Sequence, residues 1–237
     1  MAFIHDDFLL ETRAARKLYH DYAAAEPILD YHCHLPPADV ANNRRFANIF
    51  EIALEGDHYK WRAMRANGIG EELCTGNAKP YDKFLAFART MPYVLRNPLY
   101  HWTQLELKRY FGIDTLLDES TAPKIWKQTE SKLKSDSLSA QGILKKFKVK
   151  AVCTTDDPTD SLEHHASIAA QKLSARVLPT FRPDKAMRVD LPEMWNVWCG
   201  KLAEVSGQST GTFQGFLDAI KARHDFFHSM GGRLSDH

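Results

Sequence analysis

The sequence lacks paired cysteines. Its four cysteines are widely scattered, and no two of them form a Cys-x-x-Cys pair. This spacing argues against a zinc ribbon and against a disulfide framework, and it favours a reducing compartment. The four residues are Cys33, Cys74, Cys153 and Cys199.

Long apolar runs and a signal-like start are also missing. No stretch approaches the ~20 apolar residues that a helix needs to span a bilayer. The first residues, MAFIHDDFLLETRAARKLYHDY, carry acidic side chains early and charge throughout, which is unlike a signal peptide. Together with the cysteine usage, these absences predict a cytoplasmic protein that does not enter a membrane.

The charge is balanced in sign. The chain has 31 Lys and Arg against 30 Asp and Glu, a net charge of +1, so nothing suggests a surface for nucleic acid or for a membrane. The basic stretch KKFKVK (145–150) is typical of a solvated helix end that runs into a strand. The length of 237 residues, with 44% hydrophobic and 26% charged, fits an ordinary globular protein.

A His-x-His pair directly follows an apolar run in ILDYHCHLPPAD. Side chains alternate along an extended strand, so His32 and His34 project to one face while Cys33 points to the other. Pro36 and Pro37 then end the strand. Two imidazoles at the carboxyl end of a short buried strand predict half of a metal site. A His-x-His pair also occurs by chance, and most histidines have no such role.

The periodicity predicts a helical block after this first strand. An amphipathic helix over 7–25 precedes the strand, and five helix-like segments follow it, separated by Gly, Pro and Asn. No convincing strand lies among them. The segments are RRFANIFEIAL, HYKWRAMRANG, KPYDKFLAFARTMPYVL, NPLYHWTQLELKRYFG and APKIWKQTESKLK.

Strands and helices alternate in the remainder of the chain, which predicts parallel βα units. Asp160 and Glu163 predict a capping box for the helix SLEHHASIAAQKL, and GGRLSDH is interpreted as the start of a fourth strand. The predicted strands span 149–157 and 175–184, and the predicted helices lie near 191–205 and 212–230.

The three clearest strands end in the polar groups HCH, TTDD and FRPD. A parallel barrel with its active site at the carboxyl ends of its strands predicts such endings. A closed eight-stranded barrel needs about 250 residues, and here roughly a hundred are helical insertion. We therefore expect an α/β fold with about four βα units of a (β/α)8 TIM-type barrel, so that the sequence is either a fragment or one half of such a barrel; that it is the first half is implied only by the resemblance described next. The predicted domains are 1–35 (first helix and strand), 36–147 (helical insertion after the first strand) and 148–237 (strands two to four with their helices).

Several motifs together point to one family. They are DYHCHLPP, GDHYKWRAMRANG, LCTG, NPLYHWTQLELKRYFGI, TTDDPTDSLEHH, LPTFRPDKA and GGRLSDH. In this order they resemble the amino-terminal half of the uronate isomerases (glucuronate isomerases), which belong to the amidohydrolase superfamily of metal-dependent barrels. The resemblance runs from about residue 5 to the last residue. GDHYKWRAMR and TTDDPTDSLEHH are far more specific than the His-x-His pair.

The resemblance implies an aldose–ketose isomerase that interconverts D-glucuronate with D-fructuronate and D-galacturonate with D-tagaturonate. A proton moves between carbons 2 and 1 through an enediol(ate). His32 and His34 match the ligands of a divalent metal, expected to be zinc. Tyr59 matches the proton-transfer residue, with His58 beside it as a catalytic and substrate-binding partner, and Arg182 matches the arginine that binds the substrate. The resemblance also implies that the protein binds a small hexuronate and that the full-length protein forms a homo-oligomer.

One departure from the family pattern concerns length. Family members complete the barrel with further strands that supply another histidine, a metal-binding aspartate and a second substrate arginine. The resemblance therefore implies an amino-terminal fragment whose activity in isolation is doubtful. His237 matches a fourth-strand position and is not counted as a metal ligand.

From the residues alone, structural roles stay open. Tyr59 and Trp61 could pack the helical block, and Arg182 could be an ordinary ion-pair partner. His164 and His165 begin a helix, where the dipole disfavours an imidazolium, so both are interpreted as neutral and structural. Roles for Asp156 and Asp157 at the barrel mouth are not assigned.

Two other functions stay open for the chain as a whole. One is a metal-dependent hydrolase of the same superfamily acting on an ester, amide or lactone. The other is a non-catalytic half-barrel that must pair with a second chain, since open strand edges and apolar faces favour association.

Overall fold

The computed structural model describes residues 2–237, which divide into two compact units. The first unit combines Met1–Glu26 with Arg45–Ser139, and the second combines Pro27–Arg44 with Ala140–His237. No helix in the described part of the chain is long and apolar enough to cross a membrane. The predicted domain boundaries stay predictions.

All regular secondary structure in the described residues of the first unit is helical. Besides a π-helical turn at Tyr19–Ala23 and short 3₁₀ turns at Met91–Tyr93 and Asp136–Leu138, it has seven α-helices. This agrees with the predicted helical block, in which no strand was expected. The helices are α1 (Arg13–Leu18), α3 (Ile49–Ala53), α4 (His58–Ala66), α5 (Glu71–Cys74), α6 (Pro80–Thr90), α7 (Pro98–Phe111) and α8 (Ala122–Leu133).

Residues at the helix ends explain where the helices of this unit begin and end. The Asp57 carboxylate accepts hydrogen bonds from the first backbone N–H groups of α4, and Asn97 does the same for α7. Gly112 ends α7 in the left-handed conformation at φ 59°, which glycine adopts without steric cost.

Helix α6 is central to the core of the first unit. It contacts α3, α4 and α8, and its Phe84 and Phe87 are fully buried. Met64 of α4 and Ile125 of α8 are fully buried as well. Burial of each such side chain stabilises the fold by about 1.5–3 kcal/mol.

The second unit contains a parallel three-stranded sheet of order β1-β2-β3. The strands are β1 (Ile28–Asp30), β2 (Val149–Cys153) and β3 (Arg176–Leu178). Its helices are α2 (Pro37–Ala41), α9 (Ala140–Lys146), α10 (Glu163–Gln171), α11 (Pro192–Ser206) and α12 (Phe213–Ser229), with a 3₁₀ turn at Asp184–Met187. The predicted helices near 191–205 and 212–230 are thus confirmed.

Three groups of buried side chains stabilise this unit, and one of them contains Leu162, Phe181 and Phe227. The sheet packs on α2, α9 and α10 through Val40, Leu144, Val152, Ile168 and Val177. A separate cluster joins α11 to α12 and contains Trp198, Cys199, Leu202 and Ala219.

Several local predictions were wrong. The helix predicted over 7–25 begins only at Arg13, because Thr12 caps it there. The first strand was expected to be buried, yet Ile28 and Leu29 are 45% and 68% exposed. Strand β1 is the edge of the described sheet and has a partner on one side only.

The capping box predicted for α10 does not form. Helix α10 begins at Glu163 after Leu162, which has a positive φ of 57° and makes no side-chain cap. The Asp160 carboxylate instead accepts a hydrogen bond from the Asp157 N–H. The second and third strands are also shorter than predicted, because pairing beyond β3 continues only through the isolated parallel bridges Asp156↔Phe181 and Phe181↔Ser235.

Candidate active site

The polar groups that follow the strands of the second unit meet at one edge of the sheet. Backbone hydrogen bonds continue past the strand ends, from Cys33 N to Cys153 O at 3.0 Å and from Arg182 N to Asp156 O at 3.0 Å. Phe181 N donates to Leu234 O at 3.0 Å, which brings the last residues of the chain alongside. The carboxyl ends of parallel strands lie at the same edge, where binding sites of α/β folds form.

His32 and His34 face each other at this edge. Their Nε2 atoms lie 3.2 Å apart and their rings are inclined at 71°. Cys33 points the other way and packs against the core of the sheet, where burial raises the pKa of its thiol to about 11. The predicted alternation of the two histidines therefore holds, although both lie just beyond the last paired residue of β1.

The histidine pair has the spacing that a shared cation requires. Two nitrogens bound tetrahedrally to one zinc ion at 2.0–2.1 Å would be about 3.3–3.4 Å apart. Across residues 2–237 no group of three His, Cys, Asp or Glu side chains converges as a metal site. The described residues thus fit two ligands of a metal, fewer than the four of a tetrahedral site.

Asp236 lies between His32 and Arg182. Its Oδ2 atom is 2.5 Å from Nδ1 of His32, and its Oδ1 atom is 2.9 Å from Nε of Arg182. Oδ1 and Nε are both buried, and the N–H is not aimed well enough at the oxygen to form a hydrogen bond. Asp236 is not among the site residues expected from the sequence, where its only signal is the polar end of GGRLSDH.

Arg182 keeps the outer part of its guanidinium available. Its Nε atom pairs with Asp236 and lies 3.5 Å from a carboxylate oxygen of Asp184. Among residues 2–237 we find no hydrogen bond from its two terminal nitrogens. A guanidinium held in this way can receive a carboxylate through two parallel N–H groups.

A second polar cluster lies beneath this edge and is closed to solvent. The Thr154 hydroxyl is 2.7 Å from Asp156 Oδ2 and 2.8 Å from His165 Nε2, and Thr180 N donates to the same Asp156 oxygen. Burial raises the pKa of Asp156 and lowers the pKa of His165. The interpretation of His165 as a neutral, structural residue agrees with these contacts.

Asp157 has a structural environment. Its carboxylate accepts hydrogen bonds from Trp198 Nε1 at 2.9 Å and from Thr159, and Lys185 Nζ lies 3.1 Å away. Burial opposes ionisation, but these donors outweigh it and lower the pKa of Asp157. The ionised side chain ties α11 to the loop after β2.

His58 and Tyr59 lie in the first unit, at the start of α4. Their ring centroids are 4.2 Å apart, and the Arg62 guanidinium lies 5.6 Å from the centre of the Tyr59 ring. Tyr59 is 55% exposed, so its ring does not fill the core of the helical block. Cys74 and Met64 are examples of side chains that do.

Lys60 anchors the turn that carries these two residues. Its ammonium group is buried, donates to Ala53 O at 2.7 Å and pairs with Glu106 at 3.0 Å. Lys60 is not expected in this role from the sequence, where the motif GDHYKW is the available signal. His58 and Tyr59 thus lie on a turn held by Lys60 in one unit. In the other unit His32 and Arg182 both contact Asp236, and His34 lies next to His32.

Comparisons with known proteins agree on one family. A family model described as glucuronate isomerase matches residues 1–237. The uronate isomerase of Solibacter usitatus is 62% identical over 237 residues, which are 100% of this chain and 51% of that protein. The uronate isomerase of Opitutus terrae is 55% identical over 235 residues, 99% of this chain and 49% of the relative.

Solved structures show the same likeness. The crystal structure of uronate isomerase from Thermotoga maritima matches with a TM-score of 0.93 and 39% identity, covering 100% of this chain and 52% of that chain. Glucuronate isomerase from Caulobacter crescentus matches with a TM-score of 0.89 and 25% identity, over 99% and 51% of the two chains. This chain spans about half the length of the curated relatives that it matches.

Proposed function

Since this chain belongs to the glucuronate isomerase family, we propose that the protein containing it interconverts D-glucuronate with D-fructuronate and D-galacturonate with D-tagaturonate. The observation that carries the proposal is the cluster at the sheet edge, where the paired imidazoles of His32 and His34 lie next to a guanidinium. A sugar acid presents hydroxyl oxygens and a carboxylate, and this cluster offers a partner for each.

The reaction needs three kinds of functional group from the protein. A base and an acid must move the proton between carbons 2 and 1, an electrophile must stabilise the enediol(ate) oxygen, and a cation must hold the carboxylate. We assign proton transfer to Tyr59 with His58, both of which would also contact the substrate. We assign binding of the substrate carboxylate to Arg182. An unperturbed phenol has a pKa of about 10, so Tyr59 needs a nearby positive charge to act as a base.

His32 and His34 would hold a divalent cation, which we propose to be zinc. When bound, the ion would act as a Lewis acid that polarises a sugar oxygen. The spacing of the two Nε2 atoms supports this assignment. The remaining ligands would come from solvent, from the substrate or from residues beyond those described.

We also propose that the sheet is part of a (β/α)8 barrel. Two observations support this: β1 is an edge strand with exposed Leu29, and the chain spans about half of its relatives. The parent protein would be a cytoplasmic homo-oligomer.

A coupled assay for ketose formation tests the proposed activity. The full-length gene product, supplied with zinc and millimolar glucuronate or galacturonate, should form fructuronate or tagaturonate. Absence of turnover with both sugars would refute the proposal. Zinc-dependent release of product from a panel of lactones and amides, without isomerisation, would favour a hydrolase of the same superfamily instead.

A further inference from the structure

We infer that Asp236 is a positioning residue whose one carboxylate orients both the metal-binding imidazole of His32 and the substrate-binding guanidinium of Arg182. The inference rests on the proposed function, because it gives Asp236 a task within that site. Asp236 contacts His32 at Nδ1, on the opposite side of the ring from the Nε2 atom that faces His34, and it contacts Arg182 at Nε.

The contact with His32 fixes which ring nitrogen carries the proton. Asp236 Oδ2 lies 2.5 Å from Nδ1, and an ionised carboxylate can only accept a hydrogen bond. Nδ1 is therefore protonated, and the lone pair of Nε2 is directed toward His34 Nε2. A carboxylate behind a metal-binding imidazole orients the ring and raises its basicity as a ligand.

The contact with Arg182 uses the other carboxylate oxygen. Oδ1 lies 2.9 Å from Nε in a place closed to solvent, so the two opposite charges are held close in a medium that screens them weakly. Engagement at Nε leaves the terminal N–H groups free to face a ligand. The two functional side chains thus share one anchor.

The backbone holds Asp236 in place for this task. Its N–H donates to Phe181 O at 3.2 Å, and the Ser235 hydroxyl donates to the same oxygen at 2.9 Å. Phe181 directly precedes Arg182, so the anchor and the arginine it holds are tied to the same stretch of chain.

Asp184 provides a matched control. Its carboxylate also approaches Arg182 Nε, at 3.5 Å, but it is half exposed and has no contact with His32. Asp184→Asn therefore removes a negative charge next to Arg182 and leaves the shared anchor intact. Asp236→Asn keeps the size of the side chain but removes the negative charge that both His32 and Arg182 face.

Two measurements on the full-length gene product test the inference. Zinc dissociation constants, obtained by competition with a chelator, should rise by about 10–100-fold in Asp236→Asn. With zinc saturating, KM for glucuronate should rise by about tenfold in the same variant, because a charge-assisted contact that orients Arg182 is lost. Asp184→Asn should match the parent in both quantities.

An unchanged zinc dissociation constant in Asp236→Asn would overturn the inference. Weakened zinc binding with an unchanged KM would also overturn it, since the carboxylate would then serve His32 alone. If Asp236→Asn does not fold, Asp236→Ser replaces it, because serine sets no amide against Arg182 and the same outcomes apply. If the parent isomerises neither uronate, the proposed function fails, and the zinc comparison alone decides the role of Asp236.

Discussion

His165 Nε2 lies 2.8 Å from the Thr154 hydroxyl, in a part of the second unit closed to solvent. The same hydroxyl donates a hydrogen bond to Asp156 Oδ2 at 2.7 Å. The three side chains form a continuous polar chain beneath the sheet edge, and burial there favours the neutral form of His165.

We expect this chain to make folding sensitive to mild acid. Burial lowers the pKa of His165 below its ordinary value of 6.5, and the nearby carboxylates of Asp156 and Asp160 do not compensate. As the pH falls through 6.5, the unfolded chain takes up a proton that the folded chain refuses, so this contribution to stability is lost by up to about 1.4 kcal/mol per pH unit. Above that pH both states are neutral and the contribution is complete.

The variant His165→Gln isolates this effect, because its amide can still donate to Thr154 but does not titrate. Asp156, whose raised pKa acts in the opposite direction, is present in both proteins. The urea midpoint of the parent should fall relative to that of the variant as the pH is lowered from about 7 to about 5.5. His164→Gln, at a partly exposed neighbouring position, should follow the parent. Parallel pH profiles for parent and His165→Gln would contradict the prediction.

Local sequence patterns correctly predict those structural features that depend on residues close together in the chain. Alternation in a strand placed His32 and His34 on one face, and the helix expected near 191–205 corresponds to α11, Pro192–Ser206. The helical periodicity also correctly predicted that the chain from α3 to α8 forms helices and no strand.

Structural features that depend on residues far apart in the sequence cannot be predicted from such local patterns. The exposure of Leu29 follows from the lack of a strand on the outer side of β1 in the described sheet. The contact between His32 and Asp236 joins residues 204 positions apart. The cap of α10 failed because the Asp160 carboxylate turns to Asp157 instead, a competition between two local hydrogen bonds that spacing alone does not resolve.

Replacing His32 and His34 together with alanine should remove metal and leave the fold intact. Both rings lie at the sheet edge, outside the buried cluster, so little core packing is lost. Metal analysis of the full-length protein should show a large fall in zinc, with a nearly unchanged melting temperature. His164→Ala is the control, since this partly exposed imidazole has no part in the pair. Parental zinc content in the double variant would disprove the ligand assignment.

Arg182→Lys should weaken substrate binding although the positive charge is kept. An ammonium group cannot offer two parallel N–H groups to a carboxylate, so the expected loss is on the order of 1.5–3 kcal/mol. KM for glucuronate is the quantity to measure. Arg188→Lys is a matched control, because Arg188 is exposed and, within residues 2–237, pairs with nearby Asp190 alone. A KM within about twofold of the parent would mean that Arg182 does not bind the carboxylate.

Tyr59→Phe separates chemistry from packing, because it removes one oxygen and keeps the ring. The Tyr59 side chain is 55% exposed, so the melting temperature should not change. If the hydroxyl transfers the proton, turnover should fall by about 10²–10⁴, the usual contribution of general acid–base catalysis. Substrate affinity should change little, since the lost interaction matters mainly in the transition state.

The deciding measurement for Tyr59→Phe is exchange of the hydrogen at carbon 2 of glucuronate with solvent deuterium, which isolates proton abstraction from later steps. Tyr93→Phe serves as the control, because Tyr93 is an exposed tyrosine of the same unit that we do not assign to the reaction. The control should exchange at the parental rate and Tyr59→Phe far more slowly. Parental exchange in Tyr59→Phe would exclude Tyr59 from proton transfer, and would leave His58, the ring next to it on the same turn, as the residue to test next.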